Sequence, residues 1–344
     1  MPPSAPVFSV SSLDPQFKNA FGNRAIIDQK NLPILQGMAL YFLTLNPGAF
    51  REPHWHPNAN ELAYCTKGKT LITIFSNGNL HDTFSISKGE MFFVPSGYLH
   101  SIENVGSEDV EFVIVFNHEC PEDFGISGSA GCMSPSVLGN TWDLPTETVR
   151  NIRYSSKNIL IGKADGDPEI PHEAAFPNHY KFPLESIFST INTSDGSIKM
   201  AVKQVWPILE GLSMFSLRMS GTGMREPHWH PKTAELGYVL TGQARMTLLR
   251  PSDDAVTYKL NAGDLYFIPK AYPHHIENLE NNETRFLIFF DHSTPQDIGF
   301  TGGFSAFPKR IVAPTLGITA KEFPNLLKYS SDKILVTKRN PVAP

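Results

Sequence analysis

Residues 51–57 read REPHWHP, and residues 225–231 read REPHWHP again. The repeat reaches well beyond these blocks. PILQGMALYFLTLNPGAF precedes the first block and PILEGLSMFSLRMSGTGM the second, while EFVIVFNHECPEDFG (111–125) returns as RFLIFFDHSTPQDIG (285–299). His54, His56, Glu61 and His100 each have a counterpart 174 positions later, in His228, His230, Glu235 and His274. Near the ends, RYSSKNILIG (153–162) matches KYSSDKILVT (328–337) with one residue gained. A period this long marks duplicated domains, because solenoid repeats run about 20–50 residues. The expected domains are 1–165 and 166–344, divided in the Pro-rich, polar stretch KADGDPEIPHEAAFPNHY (163–180).

Each copy carries short segments rich in β-branched and aromatic residues, with Gly, Pro, Asn and Ser between them. ALYFLTL, TLITIFS, EMFFVP and EFVIVFN in the first copy answer SMFSLRM, ARMTLLR, DLYFIP and RFLIFFD in the second. The pattern predicts an all-β, antiparallel sandwich or barrel in each copy. Helical signals come late, in TETVRNIRYSS (146–156) and TAKEFPNLLKYSS (319–331), with Pro324 limiting the second.

His54 and His56 are two apart, so a strand carries both imidazoles on one face. Glu61 follows an interrupting Pro57 and is expected on the next strand, facing the same cavity. His100 is expected from a strand across the barrel, since closure brings distant positions together. Three imidazoles and a carboxylate suit Mn, Fe, Ni, Cu or Zn, and the lack of a thiolate argues against cluster and soft-metal sites. Four ligands leave two positions open on an octahedral ion, whereas a tetrahedral Zn would be saturated. Strand parity puts Arg51 and Arg225 on the face opposite the histidines, an argument weakened by Pro53 and Pro227. Trp55 and Trp229 should point into packing. His275 has Ser101 as its counterpart and is expected to be no ligand.

Bulk properties narrow the function. A net charge of −5 and a pI near 6.2 exclude nucleic acid and anionic membranes as main partners, while leaving room for a small anion at a local cationic site. No run approaches the ~18 apolar residues of a membrane span. The N-terminal MPPSAPVFSVSSLDPQF has no basic and apolar signal pattern, so the expected location is cytoplasmic. Cys65, Cys120 and Cys132 face Val239, Thr294 and Ala306 in the repeat, so these thiols belong to no duplicated site and are expected to be reduced.

These residues resemble the cupin family. Its first motif, G-x5-H-x-H-x4-E-x6-G, is met by Gly48, His54, His56, Glu61 and Gly68. Its second, G-x5-P-x-G-x2-H-x3-N, is met by Gly89, Pro95, Gly97, His100 and Asn104. The second copy keeps every ligand along with Gly242, Gly263, Pro269 and Asn278, and departs only at Thr222 and Ala271. The resemblance implies two tandem jelly-roll (double-stranded β-helix) barrels with short helices after each. Within the family, REPHWHP and SPSVLGNTW (134–142) are most similar to the bicupin oxalate decarboxylases.

That likeness implies cleavage of oxalate to formate and carbon dioxide, with manganese, one ion per domain, and dioxygen. It also implies trimers or hexamers and places Arg51 and Arg225 at the metal. Related oxalate oxidases release peroxide, other cupins are dioxygenases on chelating substrates, and some only bind metals or small ligands. The decarboxylases supply a proton from a Ser-Glu-Asn-Ser lid, and neither 115–132 nor 289–306 contains that sequence. Glu122, opposed by Gln296, is the candidate acid. Asp123 and Asp297, in a duplicated P-x-D-x-G, read as turn residues.

Overall fold

The apolar, β-branched segments form the expected strands. In the computed structural model, which describes residues 6–251, 254–323 and 333–340, ALYFLTL is the strand Ala39–Leu45 and EFVIVFN falls in Val110–Phe116. These two pair antiparallel from Ala39↔Phe116 to Leu45↔Val110. They belong to a seven-stranded sheet that also holds Glu61–Lys67, Met91–Val94, Gly22–Ile27, Phe17–Asn19 and Lys181–Phe182. A six-stranded sheet faces it, with Phe124–Gly125, Ala49–Trp55, Leu99–Asn104, Lys69–Phe75 and His81–Ser87 in order, and Ile161–Lys163 on the far part of Ala49–Trp55. Inward residues of both sheets, among them Leu43, Ile72, Phe84, Phe92, Ile102 and Phe112, form one buried core. Alternation along the strands puts this apolar set on the inner faces.

The second copy repeats the plan with Ser213–Met219, Gly223–Trp229, Glu235–Thr241, Gln243–Arg250, Asp264–Ile268, His274–Asn278 and Thr284–Phe290. Its core includes Leu217, Val239, Met246, Tyr266, Ile276 and Phe286. Each barrel completes its larger sheet with a strand from the start of the other repeat. Lys181–Phe182 pairs with Met91–Val94, and Val7–Ser9 pairs with Asp264–Ile268. The compact units are accordingly 13–186 with 208–211, and 1–12 with 187–207 and 212–344.

The helices fall earlier than the sequence reading put them. Of 146–156 only Thr146–Val149 is helical. Instead, helices occupy Ile126–Gly131 and Pro135–Trp142 in the first copy, and Phe300–Ala306 and Lys309–Thr315 in the second. The helix Pro135–Trp142 has a complete start signal: the Ser134 hydroxyl accepts from Val137 N–H, and proline stands first in the helix. Further on, the chain must run against Gly131, where a Cβ would meet the Ser155 carbonyl at 2.2 Å. Residues 319–323 are not helical, and the rest of the 319–331 prediction lies outside the described residues. The turn that holds Gly97 at φ 79° holds Ala271 at 63°, so the substituted copy keeps the same left-handed backbone.

Candidate metal centres

His54 lies on Ala49–Trp55 and pairs directly with His100 on Leu99–Asn104. His100 therefore comes from the neighbouring strand of the same sheet, a correction to its expected place across the barrel. Glu61 opens the strand Glu61–Lys67 in the facing sheet, and His56 follows one residue after its strand ends. The second copy matches, with His228 opposite His274 and Glu235 opening its strand. Each set of three histidines and one glutamate is buried, with one ligand atom per residue lying within 4.8 Å of the others.

The strand parity argument fails at a bulge. Arg51 pairs with Ile102 while His54 pairs with His100, so the first strand spends one residue more than its partner, at Glu52 and Pro53. The extra residue turns Arg51 inward with the histidines despite the odd spacing. The same shift separates Arg225 from His228. Both arginines are buried and line the cavities at the ligand clusters.

All six imidazoles are oriented through Nδ1. His54, His56 and His100 lie 2.7, 2.7 and 3.0 Å from the carbonyls of Glu52, Glu122 and Tyr98. His228, His230 and His274 lie 2.7, 3.0 and 3.0 Å from those of Glu226, Gln296 and Tyr272. A carbonyl only accepts, so each Nδ1 donates and each Nε2 is left to present a lone pair inward, as a metal ligand must. Burial, reinforced by Arg51 or Arg225, pushes His54 and His228 well below the ordinary imidazole pKa, which keeps them neutral. Burial works the other way on Glu61 and Glu235, but the facing histidines outweigh it and hold both carboxylates ionised. His56 Nε2, Glu61 Oε1 and His274 Nε2 are buried with no hydrogen-bond partner. Such orphaned atoms, converging with three imidazoles oriented through Nδ1 and an anionic carboxylate, fit a divalent ion in each barrel.

Glu52 and Glu226 are buried and do structural work beside the centres. Glu52 accepts from Leu160 N–H at 2.7 Å and Ser127 N–H at 3.0 Å. Glu226 does the same for Ile334 and Thr301. Leu160 and Ile334 sit at φ 62° and 64°, a costly region for apolar and especially β-branched residues. Their carbonyls accept from Arg51 and Arg225 at 3.4 and 3.1 Å. The glutamates thus hold the backbone that positions the arginines.

Asp123 and Asp297 are not merely turn residues. Asp123 Oδ2 lies 2.5 Å from Arg51 Nη2 and 2.6 Å from Arg24 Nη1. Asp297 Oδ2 lies 2.6 Å from Arg225 Nη2, and its Oδ1 lies 2.7 Å from His230 Nδ1. Burial raises the Asp123 pKa, and Arg51, His56 and Arg24 together more than reverse that. Sequence reasoning missed Arg24 and Tyr41, which line the first cavity from strands whose inward faces were unregistered. Glu122 is exposed, and its contacts are made by its backbone to His56 and Asn58. Trp55 stacks on Phe124 at 5.5 Å, and His275 lies 3.5 Å from Glu277. His118 and His292 accept through Nδ1 from the backbone N–H groups of Cys120 and Thr294, which closes a turn.

Two antiparallel jelly-roll barrels, each enclosing three histidines and a glutamate, define the class as a duplicated metal-site β-barrel protein. A family model described as Cupin matches residues 8–150 and 184–323, and the chain belongs to the cupin family. It is 28% identical to the oxalate decarboxylase OxdC of Bacillus subtilis, over 90% of this chain and 81% of that protein. A probable oxalate decarboxylase of Arthroderma benhamiae is 24% identical over 84% of this chain and 73% of its own length. The structure of the Bacillus subtilis oxalate decarboxylase at pH 4.6 superposes with a TM-score of 0.86 at 25% identity, covering 98% of this chain and 88% of the other. Among the described residues no helix is long and apolar enough to cross a membrane.

Proposed function

We propose that this bicupin is a metal-dependent carboxy-lyase that converts oxalate to formate and carbon dioxide. The observation that carries this reading is the buried arginine beside a complete ligand cluster in each barrel, together with similarity to oxalate decarboxylases along most of the chain. The eight ligands would hold one divalent ion per barrel, manganese in this reading, which when bound supplies Lewis-acid charge for a carboxylate and a redox partner for dioxygen. The duplication supports domains 1–165 and 166–344, and in this reading the working form is a cytoplasmic trimer or hexamer.

Cleavage of the oxalate dianion breaks the C–C bond, forms a C–H bond and takes up one proton, with no net change in oxidation. The residues must therefore bind a carboxylate, exclude water and deliver one proton to carbon. Arg51 or Arg225 binds and polarises the carboxylate through a fixed guanidinium. The cavity at each cluster is only about 10 Å³, roughly room for one water, so substrate takes its place by displacing a protein group. Asp123 is that group in the first barrel, because its carboxylate already occupies Arg51. Displaced from the arginines that hold it ionised, Asp123 would take up the one proton the reaction consumes and pass it to carbon, a role its sheltered position serves better than that of exposed Glu122.

The test is a reaction followed by proton uptake, formate and peroxide together. The reading predicts one proton consumed per formate and no peroxide; peroxide without formate would replace it with the oxidase reading.

A further inference from the structure

The two cavities superimpose residue for residue in the repeat register, with two chemical differences. Where the first is lined by Arg24 and Tyr41, the second is lined by Ile198 and Phe215. Arg24 and Arg51 converge on a single oxygen of Asp123, so two guanidinium groups share one carboxylate. In the second barrel Arg225 and Asp297 are paired one to one, and Asp297 leans on His230. Beside otherwise matched ligand sets, the first cavity thus has two arginines to one aspartate where the second has one to one. Asp28 is a further acid near Tyr41, but its carboxylate accepts from Lys30 N–H in a partly exposed turn.

The first cavity also has unused hydrogen-bonding capacity. Arg24 Nε is buried with no partner. The Tyr41 hydroxyl reaches the Pro121 carbonyl only at 3.5 Å, the outer limit of such a bond. The Arg24 guanidinium lies over the Tyr41 ring at 5.3 Å, which fixes the two side chains together. A largely buried cation, a spare N–H and a loosely held phenol match a second carboxylate; an isoleucine and a phenylalanine do not.

We propose that the first barrel is the dianion site, where Arg24 and Tyr41 hold the carboxylate of the substrate that Arg51 does not, and that the second barrel accepts monoanions only. This rests on the carboxylate-handling reading above and says which barrel takes oxalate. It makes Arg24 and Tyr41 specificity-determining residues peculiar to one copy.

The test is calorimetric titration of the metal-loaded protein with oxalate and, separately, with acetate. It uses wild type, Arg24→Ile, Tyr41→Phe and Arg24→Lys, with metal content and kinetics measured on each. Loss of a charge-assisted contact predicts that Arg24→Ile weakens oxalate binding roughly ten-fold or more, with acetate changed by less than about three-fold. Tyr41→Phe should weaken oxalate by roughly three-fold or more, and Arg24→Lys should keep part of the affinity that isoleucine loses. Metal content should remain that of wild type in all three. Should Arg24→Ile not fold, Tyr41→Phe and Arg24→Lys carry the same comparison. Oxalate binding and KM unchanged in the variants would overturn the assignment and leave the decarboxylase reading in place. Arg24-dependent oxalate binding without turnover would support the assignment while contradicting the decarboxylase reading.

Discussion

Asp123 lies against Arg51, Oδ2 to Nη2 2.5 Å, with the arginine 3% exposed and the aspartate 14%. The arginine expected to grip substrate is therefore already gripped by a carboxylate of its own chain. Removing that carboxylate separates its two roles. Asp123→Asn keeps a similar shape but has no proton to give, so kcat should fall by roughly a hundred-fold or more, the usual worth of a general acid. Both metals should stay bound. Glu122→Gln should stay within about two-fold of wild type, because an exposed side chain delivers nothing to the cavity. Steady-state kinetics on the two variants decide between the neighbours, and an unimpaired Asp123→Asn would remove Asp123 from the reaction.

Each ligand cluster is complete within its own barrel. His56→Ala and His230→Ala should each bind about one metal equivalent fewer than wild type, since each removes one of only four protein ligands from its centre. Metal analysis after exhaustive dialysis checks this. Loss of both ions from a single substitution would contradict independent centres.

Glu52 accepts two backbone N–H groups from different segments, and Glu226 repeats the arrangement. A glutamine has one acceptor oxygen, so Glu52→Gln leaves one buried N–H facing an amide donor. The expected loss is about 3 kcal/mol, combining a charge-assisted bond with an unsatisfied donor. Denaturant unfolding should show it as a lowered midpoint with unchanged slope. A change below about 0.5 kcal/mol would mean that the segment carrying Leu160 is held by other contacts.

Burial pushes the Cys65 thiol up to about 12, while Cys132 is exposed. A raised thiol pKa means the protonated, unreactive form through the neutral and mildly alkaline range, so alkylation of native protein at pH 8 should mark Cys132 and spare Cys65. Mass spectrometry of labelled peptides reads this out. Rapid labelling of Cys65 would show that the barrel core opens on the experimental timescale.

The barrels and the ligand clusters were legible because duplication repeated each spacing, and a metal site needs its residue types wherever the chain bends. The inward turn of Arg51 was not, because one extra residue at Glu52 and Pro53 reverses strand parity and leaves no compositional trace. His100 was misplaced for a related reason, since strand adjacency depends on pairing rather than on separation along the chain. Asp123 read as a turn residue because P-x-D-x-G has the same composition whether or not a guanidinium waits beside it. Arg24 and Tyr41 carried a usable signal: their repeat counterparts are Ile198 and Phe215, a change from polar to apolar inside a conserved plan. The late helices were misplaced because Ser134 and Pro135 start a helix before TETV does.

The most direct test of the central claim is product analysis of the metal-loaded protein with ¹³C-labelled oxalate. Labelled formate and carbon dioxide should form in equal amounts, with no peroxide. A protein that holds its metals stoichiometrically and leaves oxalate untouched would contradict that claim.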